Sequence, residues 1–301
     1  MITWLHFSAR LGLYDLEPRS ASDWATWASR YRVPVSFPVR GGRRVTVRSV
    51  GRLDLSLRAF KSLIAEVSFP HASAHGYVRG RSTVSAATPH VGSSLVLSVD
   101  LKNFFGQIDF ARVSPVLEAS FDAQVCQWIE GVCFVSGSLP LGYRSSPALS
   151  NIAFASADLE IFNFAAKAGV EYTRWVDDLS FSGEGVGDGF LEGLQALLAD
   201  EGWLVNARKT RFMRRAPYVL GLYVGRDATE PRLPRRIKQR LLLESYYFAK
   251  YGMSHFDRPY VLPPLTLFGY MSYAYSVEPR LATVLGERIV KGIGKSGGRL
   301  R

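Results

Sequence analysis

The sequence predicts an α+β protein, in which a few strands meet around one hairpin with helices packed about them, followed by a helical C-terminal region. Three observations carry this expectation. The stretch YTRWVDDLSFS at 172–182 sets Asp177 and Asp178 between an apolar run and an alternating one, with Leu179 and Phe181 against Ser180 and Ser182. That is the pattern of strand, tight turn, strand. The run LVLSVD at 95–100 reads as a buried strand ending on another acid, Asp100. From Pro234 the apolar residues keep a helical period through PRRIKQRLLLESYYFAKYG, LTLFGYMSYAYSV and PRLATVLGERIVKGIG.

The remaining elements follow in order. Residues 1–30 carry Trp4, Phe7, Leu11, Trp24 and Trp27 and fit one or two short helices leaning on the main body. At 31–52 the alternation of Val35, Phe37 and Val39 with Val45 and Val47 around Gly41-Gly42 predicts a β-hairpin with Arg40, Arg43, Arg44 and Arg48 about its tip. Two readings stand for that tip: an edge hairpin that uses charge against aggregation, or a contact to phosphate. Residues 53–67 have a helical period. Residues 71–90, rich in Gly, Ser and Thr, read as a loop and an irregular segment containing Arg79 and Arg81. Helical patterns follow at 110–117 and 123–132. The turn-rich SLPLGYRSSPALSN then leads to a helix running to Gly169, with Pro147 in its first turn and Ser145 or Ser146 as its cap. A helix at 188–201, a short strand with the basic turn Asn206, Arg208, Lys209, Arg211, and a hairpin at 216–225 complete this part.

Composition narrows the function classes. A hydrophobic content of 47% in 301 residues supports a folded core rather than disorder. The formal charge of +11 points to a polyanion, with nucleic acid ahead of an anionic membrane surface. No run of about 18 apolar residues exists, so no membrane span is expected. The N-terminus lacks the marks of a signal peptide, and a cytoplasmic protein with Cys126 and Cys133 as reduced thiols is expected. An Asp in a hairpin turn is ordinary by itself, because its side chain bonds nearby backbone. Two strand-end acids that converge would instead make a divalent-cation site.

Taken together, these stretches resemble the bacterial reverse transcriptases, and most closely the retron type, over about two thirds of the chain. SVDLKNFF at 98–105, LPLGYRSSPALSN at 139–151 and YTRWVDDLSFS look like the first three palm motifs. NARKTRF resembles the lysine-bearing motif that follows, YVLGLYVG the hairpin that grips the primer end, and YVRGRSTVSAATPH the stretch before the first palm motif. The resemblance implies a right-hand polymerase with an N-terminal helical extension at 1–30, fingers at 31–94, a palm at 95–225 and a helical thumb at 226–301. It implies two Mg2+ ions held by Asp100, Asp177 and Asp178, with Leu101 in the metal-binding set. Asp178 ranks as supporting, since neighbours along a strand point in opposite directions.

Further roles follow from the same resemblance. Phe105 falls where the family excludes a 2'-hydroxyl from the incoming sugar, the alternative being core packing that Phe104 could supply. Arg44 would reach the triphosphate and Leu141 lies by the nascent pair. Lys209 would give a proton to pyrophosphate or only pair with phosphate charge. Arg79, Arg81, Trp175 and Gly221 would meet primer and template. The implied partners are a structured RNA template, its DNA product, deoxynucleoside triphosphates and a separate effector protein. The implied activity is retron DNA synthesis (msDNA) primed from a 2'-hydroxyl, acting in anti-phage defence. A group II intron-related or other defence reverse transcriptase, and an inactive RNA-binding homologue, are the alternatives. Three departures bear on the choice. Leu141 replaces the usual glutamine, Trp175-Val176 replaces Tyr-Ala, and Ala86-Ala87-Thr88-Pro89-His90 with Val219-Leu220-Gly221 replace Asn-Ala-x-x-His and Val-Thr-Gly.

Overall fold

Alternating apolar and polar residues build the centre of the molecule, as the sequence leads one to expect. The structure, a computed structural model, describes residues 1–39 and 42–295, with 39 and 42–44 described by backbone alone. Two helices, α1 (Trp4–Leu11) and α2 (Ala21–Ser29), precede the hairpin β1 (Arg32–Val39) and β2 (Gly42–Ser49). The long α3 (Gly51–Val67) follows. Next comes α4 (Thr83–Ala87), continued by a 3-10 turn at Thr88–His90, where the sequence reading expected irregular chain. A helix so short carries little periodicity. It forms because Ser82 and Ser85 bond each other's backbone reciprocally at its start.

The strand β3 (Val96–Asp100) leads to α5 (Ser114–Ser120) and α6 (Ala123–Cys133). The single helix expected up to Gly169 is two, α7 (Ser146–Ala153) and α8 (Ala155–Lys167), parted at Phe154. Ser145 takes the cap position without bonding the helix by its side chain, and Ser146 donates to the carbonyl of Pro140 instead. The hairpin β4 (Val170–Trp175) and β5 (Asp178–Gly183), the helix α9 (Asp188–Asp200) and β6 (Arg211–Met213) complete the central unit. The basic turn at 206–209 precedes its strand rather than following it. The small hairpin β7 (Tyr218–Val219) and β8 (Leu222–Tyr223) joins α10 (Arg235–Tyr251), α11 (Pro264–Val277) and α12 (Pro279–Lys295).

The central sheet is antiparallel, in the order β4-β5-β3-β6. Its two faces differ because strand side chains alternate. Leu97, Val99, Leu179 and Phe181 face the main core, built with Trp128, Leu149, Ile161 and Trp203. The other face is polar: Asp100 and Ser98 on β3 lie opposite Asp178 and Ser180 on β5, with Arg211 opposite Ser98 on β6. A second core joins Ala87 and Val96 to the β7–β8 hairpin and to Leu241, Leu267 and Leu285 of the C-terminal helices. Cys126 and Cys133 are buried and free, and burial pushes their thiols up to about 11 and about 12. No helix among the described residues is long and apolar enough to cross a membrane.

His90 covers the half of the polar face away from the acids. Its Nε2 lies 2.8 Å from the Thr173 hydroxyl and its Nδ1 2.7 Å from the Ser182 hydroxyl. Thr173 spends its one proton on the Ala86 carbonyl, so Nε2–H donates to it and Nδ1 accepts from Ser182. Burial holds His90 neutral, with its pKa lowered from 6.5 to about 4. Between those values the unfolded chain binds a proton that the folded chain refuses, so stability falls as pH drops through the window. From pH 7 to pH 5 His90 is expected to cost about 2 kcal/mol. Urea denaturation at the two pH values checks this: His90→Gln should lose less on acidification than the parent, and an equal loss would contradict it.

Candidate active site

The three acids meet at one end of the sheet. Asp100 ends β3 directly across the ladder from Asp178, which begins β5. Trp175 pairs with Asp178, so Val176 and Asp177 form a two-residue turn between them. The expectation that Asp177 and Asp178 alternate along a strand therefore does not apply: Asp177 belongs to the turn, and Asp178, ranked as supporting, is the direct cross-strand neighbour of Asp100. The Leu101 amide donates to the Asp177 carbonyl at 2.9 Å, which ties the turn to the end of β3. Leu101 is itself buried, so only its main-chain oxygen could serve a cation.

The turn is strained and firmly held. Val176 has φ +62°, left-handed geometry at a position where hairpin turns of this kind favour Gly. A β-branched residue there costs of order 1–3 kcal/mol. Support comes from below. Arg174, completely buried, reaches the Val176 carbonyl at 3.0 Å and grips Asp158 through two bonds of 2.8 and 2.6 Å. Tyr172 donates to the same carboxylate at 2.7 Å. From the side, a Cβ at Gly76 would stand 2.8 Å from the Val176 side chain and amide, so only Gly fits against the turn. Asn151 holds the Gly76 carbonyl at 3.1 Å. The sequence alone singles out none of these five residues as a support. A buried Arg two residues before the turn and an Asp inside an apolar helix were the signals available.

The electrostatics gather negative charge. Burial first, then the like charges of Asp177 and Asp100, push the Asp178 carboxyl up to about 6 against the help of the Ser98 hydroxyl at 3.2 Å. Lys209 bonds Asp100 at 2.8 Å, which raises the lysine above its ordinary value. Asn206 holds the other Asp100 oxygen at 3.1 Å. Among the described residues no three acidic, His or Cys side chains close around one point, because Asp100 is turned to Lys209 and Asn206 and Asp178 to Ser98. The donor set nevertheless suits a divalent cation: its oxygens are hard, and a cation would relieve the charge that raises Asp178.

Other expected residues are dispersed around this end. A cleft of about 520 Å³ runs from Asp178 past Ser98, Ser180 and Arg211 to Leu220 and Gly221 in the β7–β8 turn. Phe104 is buried, and Phe105, half-buried, packs against the same core with its ring 5.6 Å from that of Phe104. Trp175 is half-buried beside the acids. Leu141 accepts from the Thr46 hydroxyl through its carbonyl, which joins its loop to β2. Arg79 is exposed, and Arg81 donates through Nη1 to the carbonyls of Ala72 and Ala74. Of the hairpin arginines, Arg40 lies outside the described residues, and so do the side chains of Arg43 and Arg44.

Comparison with known proteins bears directly on this geometry. The family profile described as reverse transcriptase (RNA-dependent DNA polymerase) matches residues 41–224. Retron Mx65 reverse transcriptase of Myxococcus xanthus is 35% identical over 226 residues, covering 65% of this chain and 52% of that protein. Retron Mx162 reverse transcriptase of the same organism is 28% identical over 265 residues, covering 76% and 53%. The chain thus spans about half the length of these two relatives. Retron Ec83 reverse transcriptase of Escherichia coli is 26% identical over 292 residues, covering 89% and 91%. Among solved structures, the foamy viral protease-reverse transcriptase with double-stranded DNA aligns at TM-score 0.45 and 19% identity, over 80% of this chain and 35% of that one. Enzymes described by the matching profile generally work with divalent metal ions.

Proposed function

Since the chain belongs to the reverse transcriptase family, we propose that it is an RNA-directed DNA polymerase of retron type, which copies a structured RNA into DNA from a 2'-hydroxyl primer. The observation that carries this reading is the meeting of Asp100, Asp177 and Asp178 on the open half of an antiparallel sheet, beside a cleft that leads to the β7–β8 turn. Asp100, Asp177, Asp178 and the Leu101 carbonyl would hold divalent cations, Mg2+ by preference for hard oxygens. Bound there, such ions supply charge neutralisation for the triphosphate and an acidified primer hydroxyl.

The chain's own groups do the rest. Lys209, bonded to Asp100 before any cation arrives, is free to turn to the triphosphate and give its proton to the leaving pyrophosphate. Phe105, half-buried beside Phe104, would meet the incoming sugar, and Leu141 would flank the base pair. Arg44 on β2 would meet phosphate. Trp175 and Gly221 would border the primer path, and Arg79 with the remaining guanidinium donors of Arg81 would meet template. Residues 31–94 would act as fingers, 95–225 as palm and 226–301 as thumb, with 1–30 as an extension that packs on α3 and α6.

The test is to express the chain with its native flanking DNA and treat the nucleic acid that purifies with it separately with RNase and DNase, beside Asp177→Asn. DNA covalently joined to RNA, absent from the variant, is expected. DNA free of RNA yet dependent on Asp177 would favour another bacterial reverse transcriptase, a reading to which the half-kept signature around Ala86 and His90 lends weight. RNA alone in both would contradict polymerase function. Action in phage defence with a separate effector is part of the same proposal, and phage challenge of cells carrying Asp177→Asn reads it.

A further inference from the structure

At the end of the sheet away from the acids lies a notch of about 560 Å³ that the polymerase chemistry does not use. It is lined by the guanidinium-bearing Arg214, Arg215 and Arg226, by Ser93 and Ser94, and by one acid, Glu184. All three arginines are exposed. Four residue steps along β3 separate Val96, next to the notch, from Asp100, so the notch stands roughly 13 Å from the acids along that strand alone.

What sets these arginines apart is that three of them line one concavity and none is held by a carboxylate among the described residues. Arg10, Arg52, Arg58, Arg144, Arg174, Arg232 and Arg240 are each paired with a carboxylate. Arg214, Arg215 and Arg226 form no ion pair among the described residues; Arg214 only lies over the Phe212 ring at 5.8 Å. The nearby Asp227 is taken by the Tyr223 hydroxyl and Arg232. Three guanidinium charges against the single carboxylate of Glu184 leave the concavity net positive, so an entering anion relieves their mutual repulsion. Guanidinium forks match phosphate oxygens in pairs, and the Ser93 and Ser94 hydroxyls add donors of the kind that phosphate accepts. A volume of about 560 Å³ lined by three arginines suits successive phosphates of a chain better than one small anion.

We propose that this notch is a second nucleic-acid site, binding the phosphate backbone of an RNA segment that passes the far end of the sheet while another part lies at the acids. The proposal rests on the polymerase reading only for the identity of the polyanion. Its role is to position RNA without reading sequence, as backbone contacts do.

The experiment measures affinity for a fluorescein-labelled RNA stem-loop with a single-stranded tail across a range of salt concentrations. It compares the parent, Arg214→Gln/Arg215→Gln/Arg226→Gln, and a control that loses equal charge elsewhere, Arg30→Gln/Lys61→Gln/Lys167→Gln. The notch variant is expected to bind about tenfold more weakly at low salt and to show a log–log salt slope shallower by about 2 to 3. Its extension of a saturating, pre-annealed primer should match the parent's. A notch variant that keeps the parent's slope, or falls no further than the control, overturns the site. So does one that loses only its sensitivity to added inorganic phosphate, which would make the notch a small-anion pocket. If even the parent extends no primer, the polymerase reading fails while the salt slopes still decide the notch.

Discussion

Asp100→Asn and Asp177→Asn are each expected to slow templated nucleotide addition by roughly 10³-fold or more, with RNA binding retained. Either change removes a negative oxygen from a cation site without altering shape. Asp178→Asn should do something further. Its carboxyl is raised from 3.8 to about 6 by burial and by Asp177 and Asp100. The folded state therefore holds that proton more tightly than the unfolded one. Stability falls as pH rises from 3.8 to about 6, and the cost is full above that. The interval corresponds to about 3 kcal/mol at most, so Asp178→Asn is expected to stabilise the cation-free protein by about 1–3 kcal/mol at neutral pH. Thermal melting in chelator reads the gain, and primer extension reads the loss. A variant no more stable than the parent would show that the crowding of acids carries no cost.

Arg174→Met should destabilise the fold by about 3–5 kcal/mol, because it leaves Asp158 charged and wholly buried. Arg174→Met/Asp158→Leu/Tyr172→Phe, which removes the entire polar network, should recover most of that stability in urea denaturation. It should not recover nucleotide addition. The Val176 carbonyl would still lack the bond from Arg174, which helps to hold the turn at φ +62°. A triple variant as active as the parent would reduce the network to a packing role and leave the turn to Gly76 alone.

How far the sequence reveals this arrangement depends on whether the cause of a feature is local. The strand ending at Asp100 announces itself as a short apolar run, because it is buried on both faces, and the second strand of the hairpin around Asp177 by period-2 alternation. The C-terminal helices are legible for the corresponding reason at period 3.6. The short α4 is hidden, since Ser, Thr and Ala read as loop and its capping serines are common in turns. The break at Phe154 is also hidden: apolar residues continue on both sides of it. Most of the support beneath the turn is invisible in one dimension. Arg174 and Asp158 are far enough apart in the chain that only the packing of α8 on β4 brings them together. Gly76 acquires its meaning from Val176, a hundred residues away in the sequence. The bonds from Arg81 to the carbonyls of Ala72 and Ala74 are likewise invisible in the sequence, since they depend on how the loop before α4 folds back.

The most direct test of the central claim is extension of a labelled primer annealed to an RNA template by the purified chain, with deoxynucleoside triphosphates and Mg2+. The account predicts stepwise DNA synthesis that stops when the cation is chelated and is lost in Asp177→Asn. It also predicts that ribonucleotides are poorly used. No extension with any divalent cation, by a protein that still binds the primed template, would contradict it.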